Sequence, residues 1–456
     1  MKAVVVGAGL AGLAAACELA DLGHEVAVHE ARPWAGGKAY STTGDNGEAR
    51  DNGQHVLLGC TTAYVAFLQR LGTLRLTYRQ RRLRVPVFNA QGRASVLASD
   101  PVSAPLHLAR SFATYRHLSL GEKREAGRLM LAVWHHGARK REAARGRPFA
   151  EWLRDHGQSQ ATIERFWDFL LLPTLNCRAA EADAADALFV VHEGFLRSST
   201  GSAIGVSRVG LTELHAAPAQ RYIVSRGGRV VLRSRVAEVE VQAGHVAGLR
   251  LADGSREAAD VVIVAVANEA AAALATGALA GDEGLRRAGA LKTAAIVNLH
   301  FGFDAAVAAW PFAAFAGSEL QWAFNRDVLD MPGRPRRHKL VVSLSDGEKY
   351  LDWSPARCQE HFLPLLRRAV PGARQARLLR FEVTKEPHAT FVPAPGALRP
   401  ANQTSVGGLY LAGAHTNTGW PATMESAVRS GIRAARLAHV RSVTSGPSVA
   451  GGPARG

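Results

Sequence analysis

The hydrophobic pattern starts at the second residue. Residues 2–6 (Lys-Ala-Val-Val-Val) predict a short buried strand, followed by a glycine-rich turn and an apolar, alanine-rich helix through about Leu22. Gly23 takes the place just past the helix end, where glycine is favoured. Residues 25–30 alternate apolar and polar and predict a second strand, so the chain opens on a βαβ unit. From about 60 to 200 the pattern is mostly helical and rich in Leu, Arg, Trp and His, with Pro86, Pro101, Pro105, Pro148 and Pro173 as punctuation. Strand signals return at Tyr222-Ile223-Val224, continue past Gly227-Gly228 along an alternating stretch from Val230 to Val241, and reach a fully buried strand at 260–267. Residues 290–395 mix both periods. A further buried strand spans 408–413, a helix runs from about Ala422 to Val440, and the Ser/Gly/Pro-rich tail, 441–456, reads as disordered.

Glycine spacing adds chemistry to this pattern. Gly7-x-Gly9-x-x-Gly12 follows a strand and opens a helix. Gly7 permits the tight turn, Gly9 lets a pyrophosphate reach the backbone, and Gly12 allows close helix–strand packing. Leu10 and Ala11 lie between these glycines, at the helix N-terminus, where free N–H groups and the positive dipole end favour phosphate. Glu30 ends the second strand, placed to bond both ribose hydroxyls. Ala31-Arg32 and then Gly36-Gly37-Lys38 follow at once, a second glycine pair that brings the backbone along a pyrophosphate and ribityl chain. This extension favours FAD over NAD. Val236, in the alternating stretch, is also assigned to the cofactor.

The cofactor pieces lie at the start, middle and end of 456 residues, a length that exceeds one core. The predicted class is α/β: a discontinuous Rossmann-type FAD-binding domain (1–60, 200–268, 404–440) with an inserted mixed α+β substrate domain (61–199, 269–403).

Two further segments are assigned to the flavin ring. Asp51-Asn52-Gly53-Gln54-His55 puts polar groups ahead of the apolar Val56-Leu57-Leu58, with Gly53 as a turn or close-approach glycine. Asp51 is expected to be structural, bonding backbone N–H groups around Gly53. At the C-terminus Gly413-Ala414-His415 ends a strand, and Pro421 is expected in the first helical turn. The N–H groups of Ala422, Thr423 and Met424 would then be free to stabilise negative charge on a reduced flavin.

Composition narrows the remaining classes. Cys17, Cys60, Cys177 and Cys358 form no C-x-x-C pair, so neither a disulfide framework nor a zinc site is indicated, and a cytoplasmic setting is expected. His135-His136 is no metal pair, because adjacent helical positions point apart. No apolar run reaches the ~18 residues of a membrane span, so membrane contact would be peripheral. The net charge of +16 is compatible with attraction to an anionic membrane surface or with solvation, and no nucleic-acid module is evident. Arg79, Arg81, Arg82 and Arg84 form the densest cluster.

The fingerprint, Gly36-Gly37-Lys38 and the C-terminal strand–helix resemble the flavin amine oxidase and phytoene desaturase superfamily. Within it, residues 51–59 (DNGQHVLLG), 172–176 (LPTLN) and 419–431 (GWPATMESAVRSG) are similar to the hydroxysqualene dehydroxylase family, and the likeness spans roughly 1–435. The resemblance implies removal of an allylic hydroxyl with a reduced flavin, to give squalene for hopanoids or related triterpenes. It implies an isoprenoid lipid substrate, squalene-synthase-like partner enzymes and an electron donor such as a reductase. It also implies an apolar tunnel, for which the aromatics at 310–324 with Phe166, Trp167 and Phe169 are candidates. His55 is the expected proton donor, with Gln54 and Asn176 as further catalytic candidates and His415 as an alternative donor. Two positions depart from the family pattern. Lys38 stands where arginine is common and loses its bidentate fork. Ala414 stands where an acid is common, so its backbone N–H or His415 must serve. An oxidative desaturase or amine oxidase on the same fold is the alternative, and a non-catalytic flavin- or isoprenoid-binding chaperone is a third.

Overall fold

The computed structural model describes residues 1–44, 48–333 and 337–444. The strand Lys2–Val6 is the centre of a five-stranded parallel sheet. Glu25–Glu30 and Val261–Val264 flank it, and Arg229–Leu232 and Leu409–Leu411 form the edges. Parallel strands covered on both faces need continuous apolar runs, which is why the inner strands read Ala-Val-Val-Val and Val-Val-Ile-Val. The helix Leu10–Asp21 covers this sheet and packs against the C-terminal helix Met424–Thr444. A Cβ at Gly431 would sit 2.1 Å from the Ala11 carbonyl oxygen, so the two helices touch backbone to backbone. The start and end of the chain are joined at that contact.

A second, seven-stranded sheet is mostly antiparallel. Its long central strand, Thr293–Phe303, pairs with Leu378–Phe391 on one side and Lys339–Leu344 on the other. Trp322–Asn325, Phe312–Ala316, Arg84–Asn89 and Ala94–Ala98 continue it, with one parallel pairing between Phe312–Ala316 and Arg84–Asn89. Helices from Ala109 to Val191 pack beside it. The architecture is therefore α/β with a discontinuous nucleotide-binding sheet, the class read from the pattern.

Several local expectations are corrected. Tyr222-Ile223-Val224 closes a helix, Ala217–Val224, although two of the three are β-branched, because Ile223 buries against the Leu10–Asp21 helix. The alternating stretch is two strands in two sheets, Arg229–Leu232 and Val236–Gln242, since the chain turns at Arg233 with φ +57°. The mostly helical stretch from 60 to 200 contains strands at Thr77–Arg79, Arg84–Asn89 and Ala94–Ala98. The C-terminal helix begins at Met424 and extends to Thr444, past the expected end at Val440. Positions 441–444 are thus helical, and the rest of the expected disordered tail, 445–456, lies outside the described residues.

Candidate functional site

The glycine turn is built as its spacing requires. Gly7 has φ +101°, and a Cβ at Gly12 would lie 1.9 Å from the Gly7 carbonyl oxygen. Gly9 is different: a Cβ there would meet only Gly37 Cα, at 3.7 Å. No protein atom forbids a side chain at Gly9, so packing does not require the glycine. The helix behind the turn has no side-chain cap and no acid in its first turn. The N–H groups of Ala11 and Gly12 have no acceptor among the described residues. This is an open anion cradle.

Glu30 Oε2 accepts the Ala8 N–H at 2.8 Å and Oε1 accepts the Arg32 N–H at 2.9 Å, which fixes the carboxylate at the strand end. Ala31 lies between these two bonded residues. Val236 sits two residues beyond Ser234, whose N–H donates to the Glu30 carbonyl at 2.8 Å. Gly36 and Gly37, with φ +118° and +62°, fold back on the first turn through Gly36 N–H to Ala8 O, 2.8 Å. Lys38 is then carried to the His388 carbonyl, which its ammonium bonds. Burial holds the Lys38 ammonium below its usual range, Glu269 and Glu386 oppose that shift, and Arg32 adds to it.

The DNGQH segment bridges the two sheets. Asn52 Nδ2 donates to the Lys38 carbonyl at 3.1 Å and to Glu386 Oε2 at 3.0 Å. Gly53 has φ +96° and lies against Asn298 of the long central strand. Asp51 Oδ1 accepts the Ser41 hydroxyl at 2.6 Å and the Leu211 N–H at 2.9 Å, so it is structural, but its partners are not the backbone around Gly53. His55 is half-buried. Burial lowers its pKa from the usual histidine value, while Asp51, the Asn52 backbone and Glu386 pull it upward. Gln54 is turned to a different neighbour: its Oε1 accepts from Arg326 at 3.3 Å. That amide lines a cavity of about 30 Å³ with Asp51, His300, Arg326 and Lys339, room for a water. His300 Nδ1 is buried there without a partner, and burial holds the ring's pKa well below the usual value.

Asn176 is corrected. It is a left-handed helix C-cap, φ +56°, and is buried. Its amide nitrogen donates to Ala295 O at 3.3 Å and Thr390 Oγ1 at 3.0 Å, and its oxygen accepts the Asp346 N–H at 2.9 Å. Both amide N–H groups and one lone pair of the oxygen are committed to anchoring the helix end, which makes the residue structural.

The C-terminal loop is held by residues the pattern did not reveal. Gly413 N–H donates to Ser430 Oγ at 3.0 Å, and the His415 ring folds over Gly413 so closely that any Cβ there would collide. Arg399 reaches the carbonyls of Ala414 (3.0 Å), His415 and Thr416. Arg399 is a single charge in a featureless loop, and no spacing signal marks it. His415 is buried with Nε2 unpartnered, and burial, then the Arg399 and Lys38 charges, push its pKa down to about 4. Ala414 N–H has no acceptor among the described residues. Pro421 is not helical, another correction. Thr423 is the N-cap: its carbonyl accepts from Ala427 and its hydroxyl from Ser426 N–H at 3.2 Å. The N–H groups of Ala422, Thr423 and Met424 have no acceptor among the described residues.

Of the aromatics expected along a tunnel, Phe169, Phe315 and Trp322 line a cavity of about 340 Å³ with Leu172 and Pro173, but Asp168, Arg178, Asp346 and Lys349 line it too, so it is not the apolar tunnel expected. Phe312, Phe324, Phe166 and Trp167 are core residues, and the Trp167 indole N–H is satisfied by Gln158 at 2.9 Å.

The uncapped N-terminus behind Gly9, the fixed Glu30, the free N–H groups at 414 and 422–424 and the orphaned His415 nitrogen fit the phosphate, ribose and ring ends of FAD. Known proteins agree. Residues 10–439 match the flavin containing amine oxidoreductase family. A probable zeta-carotene desaturase of Synechococcus elongatus is 26% identical over 96% of this chain and 98% of its own. A hydroxysqualene dehydroxylase of Sinorhizobium fredii is 30% identical over 95% of this chain and 97% of its own. Among solved structures, an oxidoreductase from Methanosarcina mazei superposes with a TM-score of 0.74 at 19% identity, covering 96% of this chain and 100% of that one. The chain belongs to the flavin containing amine oxidoreductase family and is an FAD-dependent oxidoreductase.

Proposed function

We propose that this chain reductively dehydroxylates hydroxysqualene to squalene, a step in hopanoid or triterpene synthesis. The supporting observation is His55, a half-buried histidine set where the nucleotide fold meets the seven-stranded sheet, with Asp51 and Glu386 acting on it. Removing an allylic hydroxyl needs a proton for the leaving oxygen and a hydride for the carbon. Oxidative desaturation would instead use this ring as a base for the second hydrogen, so the two directions differ in which form of His55 reacts. The 30% identity to a hydroxysqualene dehydroxylase over nearly both chains favours the reductive direction.

Reduced FAD supplies the hydride when bound. His55 donates the proton as the C–O bond breaks, and water leaves with it. Burial disfavours the protonated imidazole, and Asp51 and Glu386 partly offset that cost. The free N–H groups of Ala422, Thr423 and Met424 would hold the ring end of the cofactor and would favour its anionic form. Squalene-synthase-like enzymes would supply the alcohol, and a reductase or free reduced nicotinamide would supply electrons.

An oxidative carotenoid-type desaturase is the second reading, favoured by the 26% identity to a zeta-carotene desaturase over nearly both chains. An anaerobic absorbance experiment separates them. The purified protein is photoreduced and mixed with hydroxysqualene. Return of the oxidised flavin bands together with extracted squalene is the expected result. Flavin that stays reduced over untouched alcohol overturns the reading in favour of the desaturase.

A further inference from the structure

The charge of this chain is not spread evenly. Residues 75–141 hold fourteen Lys and Arg against three acids, so +11 of the total +16 falls within them. All three acids are engaged. Glu122 caps the helix Leu120–Trp134 with Ser119 and pairs with Arg165 at 3.0 Å. Glu125 accepts from the Ser159 and Thr162 hydroxyls, and Asp100 pairs with Arg110 at 3.0 Å. Arg79, Arg81, Arg82, Arg84, Arg124 and Arg128 are exposed, and none forms an ion pair within 4 Å among the described residues, although the Arg128 charge acts on Glu125.

Exposed apolar side chains concentrate in the same part of the chain. Six of the twelve large exposed apolar side chains among the described residues lie between Val96 and Trp134. Leu120 is 72% exposed, Leu106 63% and Leu131 54%. Helical spacing puts Leu120, Arg124, Arg128, Leu131 and Trp134 on one outer arc, while Ala126, Leu129 and Val133 bury the opposite face. The neighbouring segments are packed to this helix in series. Gly127 lies against Phe112, and Lys123 Nζ bonds the Ala113 carbonyl at 2.7 Å. The Ala98 N–H donates to Ser111 Oγ at 2.8 Å, and the Ser99 N–H to the Leu83 carbonyl at 2.9 Å.

We infer that this face docks on a bilayer containing anionic phospholipid, an inference that rests on the reading of the substrate as a lipid. The arginines meet lipid phosphates, while Leu106, Leu120, Leu131 and Trp134 enter the headgroup–acyl boundary. A nucleic acid would use the arginines alone and leave those leucines in water. Placement also favours a lipid. Arg165, held by Glu122 of this helix, lines the 340 Å³ cavity with Phe169, Phe315 and Trp322. The lining mixes these rings with Asp168, Arg178, Asp346 and Lys349, so a lipid leaving the bilayer here meets aromatic contact beside charged groups.

Flotation of the FAD-loaded full chain with vesicles tests the inference. One set is phosphatidylcholine alone, and the other contains phosphatidylglycerol as well. Binding is expected only to the anionic vesicles and is expected to weaken with salt. Arg124→Glu with Arg128→Glu should weaken it tenfold or more (about 1 kcal/mol for each basic residue removed). Leu120→Gln with Leu131→Gln should weaken it at unchanged charge. The control, Arg286→Glu with Arg368→Glu, reverses two exposed arginines elsewhere and should leave it near the parent value. All are surface changes, and retained flavin absorbance confirms folding. Equal binding to both vesicle sets, no binding to either, or equal losses in the control and the Arg124/Arg128 variant would each overturn the inference. So would capture of RNA in place of vesicles. Turnover of hydroxysqualene in detergent micelles is independent of docking, so failure of the function and failure of the surface are read separately.

Discussion

Glu425 Oε2 accepts the backbone N–H of Tyr64 at 2.8 Å, and its other oxygen takes the Ala63 N–H at 3.0 Å. One buried carboxylate in the first turn of the C-terminal helix therefore caps a second helix, Thr62–Arg70, that has no cap of its own. Arg429, one turn along, completes the neutralisation with Nε at 2.7 Å.

Glu425→Ala would strip both N–H groups of their acceptor and leave Arg429 without its partner. A buried carboxylate with charged and backbone partners supports a loss of about 3 kcal/mol. The denaturant midpoint of the flavin-free protein measures it. An unchanged midpoint would mean that water replaces the carboxylate without cost.

Gly9 and Gly12 carry opposite predictions. Gly12→Ala drives a Cβ to within 1.9 Å of the Gly7 oxygen, so the apoprotein loses stability whether or not FAD binds. Gly9→Ala places its Cβ 3.7 Å from its nearest neighbour, at an ordinary φ of −74°. Its apoprotein should unfold within about 0.5 kcal/mol of the parent. FAD affinity, followed by flavin fluorescence, should nevertheless fall steeply, because the methyl group occupies the phosphate approach. Equal effects of the two changes on apoprotein stability would contradict this division.

The same contrast explains what the sequence could reveal. The first strand, the glycine turn and Glu30 lie within thirty residues, so their contacts are local and their spacing carries the information. The DNGQH loop was legible as a polar insertion, but Gln54 turns to Arg326 and Asn52 to Glu386, both far along the chain. Pairings at that separation leave no periodic trace. Arg399 was invisible for the same reason, and Tyr222–Val224 misled because packing on the first helix overrides β-branched preference. Asn176 belongs to a family-like motif, and sequence alone does not separate a catalytic amide from a backbone one. Its left-handed φ is a backbone property that asparagine shares with glycine, and that explains its place in the motif.

His215 predicts an acid limit on stability. Its Nε2–H donates to the Ala39 carbonyl at 2.8 Å, and Nδ1 accepts from the Tyr64 hydroxyl at 3.2 Å. This is the neutral ring. Burial pushes its pKa down to about 4, the Ala39 carbonyl opposes the shift, and His55 adds to it. An unfolded histidine titrates near 6.5. Between those values the unfolded chain binds the extra proton, so stability is full above pH ~6.5 and declines toward pH ~4, by about 3 kcal/mol for this group. Unfolding at fixed FAD excess, scanned from pH 7.5 to 4.5, measures the slope. His215→Gln keeps a donor and an acceptor without titrating, and should flatten it.

The last prediction concerns His55. If this ring gives the proton to the leaving hydroxyl, the reactive form is the imidazolium, so the rate of flavin reoxidation by hydroxysqualene must fall as pH rises through its pKa. Burial puts that pKa below the usual histidine value, while Asp51 and Glu386 hold it up. The descending limb should therefore lie on the acid side of neutrality. Glu386→Gln removes one supporting charge and should move the limb to lower pH, with the plateau nearly kept. His55→Gln should abolish the limb and slow the reaction by about 10²–10⁴, with FAD still bound. Loss of flavin from His55→Gln would place the ring in cofactor binding. A rate unchanged in that variant, with FAD retained, would remove His55 from proton transfer, and His415 would then be the remaining candidate. His415 has the weaker claim, because Arg399 and Lys38 oppose its protonation and no carboxylate favours it.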